Sequence, residues 1–219
     1  MRIIQYLIIV VALASCTSNQ ERQVQQEDSL LDGAGADTST GHISTVNAET
    51  SISSVAGIQK SFQQTFELYK NRSLDSTSFK YDCNGETGGA VSYFTTNGNL
   101  RLIVHRYHEY DHHEAEDRYF VNEGSLYFAH TKSLAWSFDS GPEGATRDQI
   151  TEQRSYLLNN AAVKCLEKKY EIRKHAGINP NPDSVPNKQV DCKKAKSTTS
   201  NFEKLKLYWK NEAPNCLAL

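Results

Sequence analysis

The chain has 219 residues, a formal net charge of −2 and 38% hydrophobic residues. That length holds one or two domains. Its 24 basic residues nearly balance 26 acidic ones, which leaves no electrostatic footprint for nucleic acid, and no nucleic-acid partner is expected. The apolar run from Ile3 to Ala14 is too short to span a bilayer comfortably.

Arg2 stands before that run and Leu13-Ala14-Ser15-Cys16 closes it. A basic start, a short apolar stretch and small residues before a cysteine resemble the lipobox signal of bacterial lipoproteins. The resemblance implies that residues 1–15 are a signal peptide, removed at Cys16. The Cys16 thiol would then carry a diacylglycerol thioether, and its freed amine a further acyl chain such as palmitate. Several chains, at about 0.8 kcal/mol per buried CH2, make a lasting membrane anchor where one does not. Thr17 rather than Asp follows the cysteine, which by the same resemblance implies the outer membrane of a Gram-negative cell envelope. An ordinary secretory leader or an uncleaved anchor is the plainer alternative.

Residues 16–55 read as the lipidated cysteine followed by a disordered tether. Thr17 to Ser54 is rich in Ser, Thr, Gln and Asp and has no aromatic residue, too little apolar surface to offset its ordering entropy. Glu21, Glu27, Asp28, Asp32, Asp37 and Glu49 make it acidic, and as a flexible coil it would reach roughly 35 Å. Residues 56–219 are expected to form one globular domain.

Within that domain Ile58, Phe62, Phe66 and Tyr69 recur at helical spacing, with polar residues opposite, and predict an amphipathic helix that ends at Lys70 to Ser73. Phe79 to Cys83 reads as a short strand and Gly85 to Gly89 as a turn. Tyr93-Phe94-x-x-x-Gly98-x-Leu100 is then matched by Tyr119-Phe120-x-x-x-Gly124-x-Leu126 and, more loosely, by Tyr156 to Val163. Each copy reads as a hairpin: an apolar strand, a turn whose Asn-Gly, Glu-Gly or Asn-Asn pair accepts positive φ, and a second strand. Leu100 to Tyr107 and Val163 to Ile172 extend two of the second strands, while Trp136 and Phe138 mark a further short one. The uneven spacing of the copies excludes a solenoid or propeller period. Gly177 to Lys188, with three prolines, is irregular, and Asn201 to Lys210 predicts a C-terminal helix with Phe202, Leu205 and Trp209 on one stripe. The expected fold is α+β: an antiparallel β-meander of about six strands flanked by an N-terminal and a C-terminal helix.

With Cys16 assigned to lipid, Cys83, Cys165, Cys192 and Cys216 remain, and an even count in an exported chain reads as two disulfides. Three pairings are possible. Either Cys192 and Cys216 close the C-terminal segment on itself, or they staple it to the sheet through Cys83 and Cys165.

His105, His108, His112 and His113 lie among Glu109, Asp111, Glu114, Glu116 and Asp117, and imidazoles with carboxylates can hold zinc, nickel or copper. An extended chain sends His105 and His108 to opposite faces, so His108, His112 and His113, with Glu114, are the candidate metal ligands. A solvated hairpin loop explains the same residues. There is no HExxH, no CxxC and no G-x-S-x-G, so no catalytic residue and no cofactor is assigned. The lysines of the C-terminal third could meet a polyanionic glycan or an acidic protein, although acids among them suit a solvated face. Tyr107, Tyr119 and Tyr127 are candidates for a recognition surface on one side of the sheet.

The helix, the aromatic hairpins, Arg154-Ser155-Tyr156 and Lys164-Cys165-Leu166 together resemble small lipoprotein domains of Gram-negative bacteria, Bacteroidota among them. That likeness implies a fold and no activity. Tyr81-Asp82-Cys83 and Asn215-Cys216 resemble the cysteine brackets of the small β-barrels of lipoprotein lysozyme inhibitors, whereas the hairpins between them follow another pattern. The function expected is a membrane-anchored, non-enzymatic envelope module that binds a protein or glycan. The alternatives are inhibition of a lytic enzyme such as lysozyme, or metal binding.

Overall fold

A computed structural model describes residues 52–219; the expected signal peptide at residues 1–15, Cys16 with its expected lipidation, and most of the expected tether lie outside the described residues. Helix α1 (Val55–Lys70) opens with Ser54, whose hydroxyl accepts from the Gly57 amide at 3.1 Å. Eight strands follow: β1 (Asp75–Cys83), β2 (Thr87–Thr96), β3 (Asn99–Glu109), β4 (His113–Asn122), β5 (Ser125–Phe138), β6 (Thr146–Leu158), β7 (Ala161–Arg173) and the short β8 (Lys188–Val190). Helix α2 (Ala195–Leu207) ends the regular structure. The strands form one antiparallel sheet in chain order, and β1 does not pair with β8, so the sheet is open and not a barrel.

The three repeat hairpins supply six strands, β2 to β7, and the sheet reaches eight with β1 and β8; the differences from expectation lie at three places. The Gly85 to Gly89 stretch is not all turn: Asn84 and Gly85 take positive φ, while Gly88 and Gly89 belong to β2. A Cβ at Gly89 would meet the Arg106 carbonyl oxygen at 2.4 Å, so glycine is required there by close approach of the neighbouring strand. Trp136 and Phe138 are the end of β5 and not a strand of their own. Strand β8 has three exposed residues and no apolar pattern to announce it.

The three sequence repeats fold alike. Their turns fall at Asn97-Gly98, Glu123-Gly124 and Asn159-Asn160, all with positive φ, and the pairing register shifts just before each, after Phe94, Phe120 and Tyr156. Structurally, Tyr156 therefore corresponds to Phe94 and Phe120, not to Tyr93 and Tyr119 as the sequence match suggests. A one-residue slip changes face. Tyr156 indeed packs with Phe120 and Phe128 beneath α1, while Tyr93 and Tyr119 pack beneath α2. The second bulge also turns two successive residues, Tyr127 and Phe128, toward α1.

Each sheet face has one helix. On one side Ile58 and Phe62 of α1 meet Phe120, Phe128 and Tyr156; the Phe62 ring stands edge-on to Phe120 and Phe128 at 4.9 and 4.8 Å. On the other, Phe202 and Leu205 of α2 are fully buried against Tyr93, Ile103 and Tyr119. The Tyr93 hydroxyl donates to the Leu205 carbonyl at 2.8 Å, satisfying an acceptor in the last turn of α2. This helix begins six residues before its predicted start. Its first turns contain Ser197, Thr198 and Thr199, poor helix formers whose hydroxyls here bond back to the carbonyls of Lys194 and Ala195. Trp209 lies past the helix end and packs on the same cluster.

The disulfides are Cys83–Cys216 and Cys165–Cys192. Of the two arrangements read from sequence, the structure has the one that staples the C-terminal segment to the sheet. Cys83–Cys216 ties the chain end to β1, where the Asp82 amide also donates to the Asn215 carbonyl at 3.0 Å. Cys165–Cys192 fixes β8 and the entry to α2 against β7.

Polar groups are buried in the α2 side of the core. His105 is fully enclosed, bonded through Nε2 to the Tyr81 hydroxyl at 2.9 Å and stacked on Tyr107, with Nδ1 unpartnered. Burial pushes its pKa down to about 4, so it is neutral at pH 7. Directly across from it, Asp117 is raised to about 6, chiefly by burial, although the Tyr119 hydroxyl donates to it at 3.1 Å.

Two predictions concern this framework. The chain-entropy relation makes loss of Cys83–Cys216 (separation 133) more costly than loss of Cys165–Cys192 (separation 27) by about 1 kcal/mol, out of roughly 3–5 kcal/mol each. Urea denaturation of the two paired Cys→Ala variants measures both. For Asp117 the folded pKa lies above the unfolded value, so protonation stabilises the native state below about pH 4 and that benefit is lost as pH rises through 6. Asp117→Asn is therefore expected to be more stable than the parent at pH 7, by about 1–3 kcal/mol, and equal to it near pH 3.5. Thermal melts across that range decide it.

Candidate functional site

The antiparallel register lines residues up across the sheet. On the α1 face Arg118 (β4) lies opposite His130 (β5), and His130 opposite Arg154 (β6). One step farther from the three repeat turns, Arg106, Glu116, Lys132, Glu152 and Lys168 line up across β3 to β7 with alternating charge. Helix α1 lies over the aromatic residues nearer the repeat turns, and its Phe66 ring borders the first row, 5.7 Å from the Arg118 guanidinium.

Between α1 and the single turn at Pro182–Ser184 these rows floor a cleft of about 480 Å³. That volume is within the range of ligand sites. One end is apolar, formed by Phe62, Phe66, Phe120, Phe128 and Tyr156. The remainder is lined by Arg118, His130, Lys132, Glu152, Arg154 and Lys168, with Pro182 and Asp183 as the far wall.

Glu152 is the fixed point of the polar part. It accepts from His130 Nε2 at 3.1 Å and from the Tyr170 hydroxyl at 2.9 Å, and pairs with Lys168 Nζ at 3.3 Å. Burial alone would raise its pKa, but the hydrogen bonds from His130 and Tyr170 and the nearby positive charge hold it at about 2. Lys168, itself buried, also donates to the Pro182 carbonyl at 2.9 Å, so the same ammonium holds the far wall in place. Two of these contacts fall on Oε2 and one on Oε1, so three of the carboxylate's roughly four acceptor sites are filled.

The other cations are not answered so fully. Arg118 reaches Glu116 through Nη2 at 2.5 Å, but its Nε is buried without a partner. Arg154 and Lys132 make no hydrogen bond or ion pair among the described residues. The lining thus carries Arg118, Lys132, Arg154 and Lys168 against Glu152 and Asp183. A broader trough of about 980 Å³ continues on this face past Lys132, Glu114 and His108. It is open, and its central charges are paired, Arg106 with Glu116 at 2.5 Å.

The residues singled out from sequence fall elsewhere. His108 projects to the α1 face of β3, whereas His113 lies on the opposite side, beside Tyr107, and pairs with Glu109 at 3.0 Å. His112, in the tight β3–β4 turn, packs its ring 4.2 Å from Trp136. The three are not brought together, and no group of three or more His, Cys, Asp or Glu among the described residues is placed to hold a metal ion. Nor do the tyrosines form an open surface: Tyr119 is buried beneath α2, Tyr127 is buried and hydrogen-bonded to Thr65 of α1, and Tyr107 stacks on His105. Cys16 lies outside the described residues.

Sequence reading gives Arg118, His130 and Glu152 no role, and Arg154 enters it only within the Arg154-Ser155-Tyr156 likeness. A signal was present. Counting by two from the core residues Phe120, Phe128 and Tyr156 reaches Arg118, His130 and Arg154, all on the same sheet face.

No family model, curated protein or solved structure matches this chain. Among the described residues no helix is long and apolar enough to cross a membrane.

Truncation of Glu152 tests the clamp. Glu152→Ala leaves Lys168 buried without its counter-charge and is expected to cost about 3–5 kcal/mol at pH 7. Because the Glu152 pKa is depressed, its contribution is complete above about pH 4.5 and is lost as pH falls toward 2. The stability difference between variant and parent, from denaturation at pH 7 and pH 2.5, should narrow accordingly.

Proposed function

We propose that the chain is a non-enzymatic binding module of the cell envelope, anchored at the outer membrane through lipid on Cys16, and that the α1-face cleft seats a segment of a partner protein. The observation that carries this reading is the cleft itself: a walled space, aromatic at one end, with more positive charge than its own acids answer. Two disulfides suit an oxidising compartment outside the cytoplasm. The lining contains no Ser, Thr or Cys, and its one glutamate is held as a structural carboxylate by three donors. Phe62 stands edge-on to Phe120 and Phe128, and the Phe66 ring is already met by Phe62 and by the Arg118 guanidinium, which favours an apolar side chain of a protein over a sugar stacked flat.

The test is cross-linking of the lipidated protein in its own envelope, with Cys16→Ala and the double charge reversal Lys132→Glu/Arg154→Glu as controls, read by mass spectrometry. One protein captured by the parent and depleted in both controls is the expected result. If that partner is a lytic enzyme, the module is its inhibitor. Capture that ignores the cleft reversal, or recovery of glycan alone, would refute the proposal.

A further inference from the structure

Resting on the cleft as a ligand seat, we infer that the group it recognises is a carboxylate attached to an apolar side chain, as the C-terminal residue of a partner protein presents. An Asp or Glu beside an apolar residue offers the same chemistry within a chain. Three observations lead there.

The first is the row Arg118, His130, Arg154, in which basic side chains lie directly opposite one another on adjacent strands. Each of these groups calls for an acceptor when it is drawn out of water. Glu116 answers Arg118, and Glu152 answers His130. Arg154 has no such group among the described residues, although it is half-buried in the wall of a cleft. A guanidinium offers a planar fork of donors that matches a carboxylate with two parallel hydrogen bonds. The second is Lys132, one row away on the next strand, which lies across from Glu116 and Glu152, makes no ion pair with either, and lines the same space. The third is the aromatic floor. Phe62 and Phe66 flank the cleft beside this pair of cations, so an apolar side chain placed there brings its own carboxylate toward Arg154 and Lys132. Apolar walls around the charges lower the local dielectric and strengthen the pairing. A bare anion would leave the aromatic end unfilled; an apolar group without charge would leave Arg154 unanswered.

The test uses the full chain with Cys16→Ala and small soluble probes, followed by amide chemical-shift titration. N-acetyl-phenylalanine presents the terminal carboxylate. N-acetyl-phenylalanyl-glutamic acid diamide presents the side-chain one, N-acetyl-phenylalanine amide presents the ring without charge, and acetate presents the charge without the ring. N-acetyl-phenylalanine is expected to bind at least about tenfold more tightly than its amide or acetate, with shifts at Phe62, Arg154 and Tyr156. The glutamyl probe distinguishes a chain end from an internal acid: weaker binding than N-acetyl-phenylalanine assigns the chain end, and equal binding assigns either source of the same chemistry. Arg154→Gln should lose that tenfold preference while its melting temperature stays at the parent's, because Arg154 holds nothing in the unliganded protein. Lys132→Gln, an exposed position, provides a second variant expected to weaken binding severalfold.

Equal binding of acid and amide, binding of acetate as tight as that of N-acetyl-phenylalanine, or no response to any probe overturns the inference. So does preference for glucuronate, which would point to an acidic glycan. A protein captured in the envelope through the cleft, with no probe bound, would leave the binding-module reading standing and remove only this assignment of what is recognised.

Discussion

Everything on this sheet follows from pairing register, and the register is pinned by three bulged hairpins that turn at the same end. In an antiparallel meander a strand that slips by one residue exchanges its two faces, so the sheet has to be locked wherever both faces are packed. Here both are. The positive-φ pairs at Asn97-Gly98, Glu123-Gly124 and Asn159-Asn160 set each turn, and the bulge beside each puts an extra residue, Arg101, Tyr127 or Val163, on the strand that follows; in that register Phe94, Phe120 and Tyr156 face α1 while Tyr93 and Tyr119, one residue along, face α2. Once those positions are settled, the side chains farther along each strand have no remaining choice of side. Arg118, His130 and Arg154 become neighbours because the aromatic residues two positions away had to be neighbours first.

The same constraint explains why the polar rows are tolerated. Helix α1, at 16 residues, covers the aromatic end of its face and leaves the more distant rows to solvent or to the Pro182–Ser184 turn. Within those rows opposite charges alternate from Arg106 through Lys168, and the pairs at its two ends, Arg106–Glu116 and Glu152–Lys168, are closed. They fail to alternate at the three-residue row beside the aromatic floor. A buried clamp on Glu152 stabilises part of that departure, and the residual positive charge on Arg154 and Lys132 is what gives the cleft a chemical preference rather than only a shape.

Much of the architecture was legible in the sequence. Helix α1 could be read from Ile58, Phe62, Phe66 and Tyr69, and the hairpins from their turn residues, because these patterns are local and physically determined. The errors have local causes too. Gly88 and Gly89 look like turn residues, but Gly89 lets the β3 backbone approach at Arg106 and Gly88 leaves room for the His108 ring, demands that arise only when the strands are together. The Tyr156 repeat was aligned on its aromatic ring rather than on its turn, which put it on the wrong face. Serine and threonine hid the first turns of α2 because their favourable back-bonding requires the helix to exist already. The candidate site was harder. The histidines drew notice by crowding in sequence, yet strand geometry spreads them over two faces and a turn. The residues of the cleft come from α1, four strands and the segment after β7, and only the register brings them within reach of one another.

The placement of the cysteines along the meander bears on how the chain oxidises as it emerges. Of the four disulfide cysteines, Cys83 and Cys165 precede Cys192 and Cys216 in sequence, so for a time these two are present without their native partners. The strands carrying them, β1 and β7, are six neighbours apart in the sheet. At about 4.8 Å per strand that places the two strands roughly 29 Å from each other, far beyond the reach of a disulfide. A sheet that assembles strand by strand therefore protects its early cysteines from joining each other, and the native bridges close only when the C-terminal segment arrives alongside.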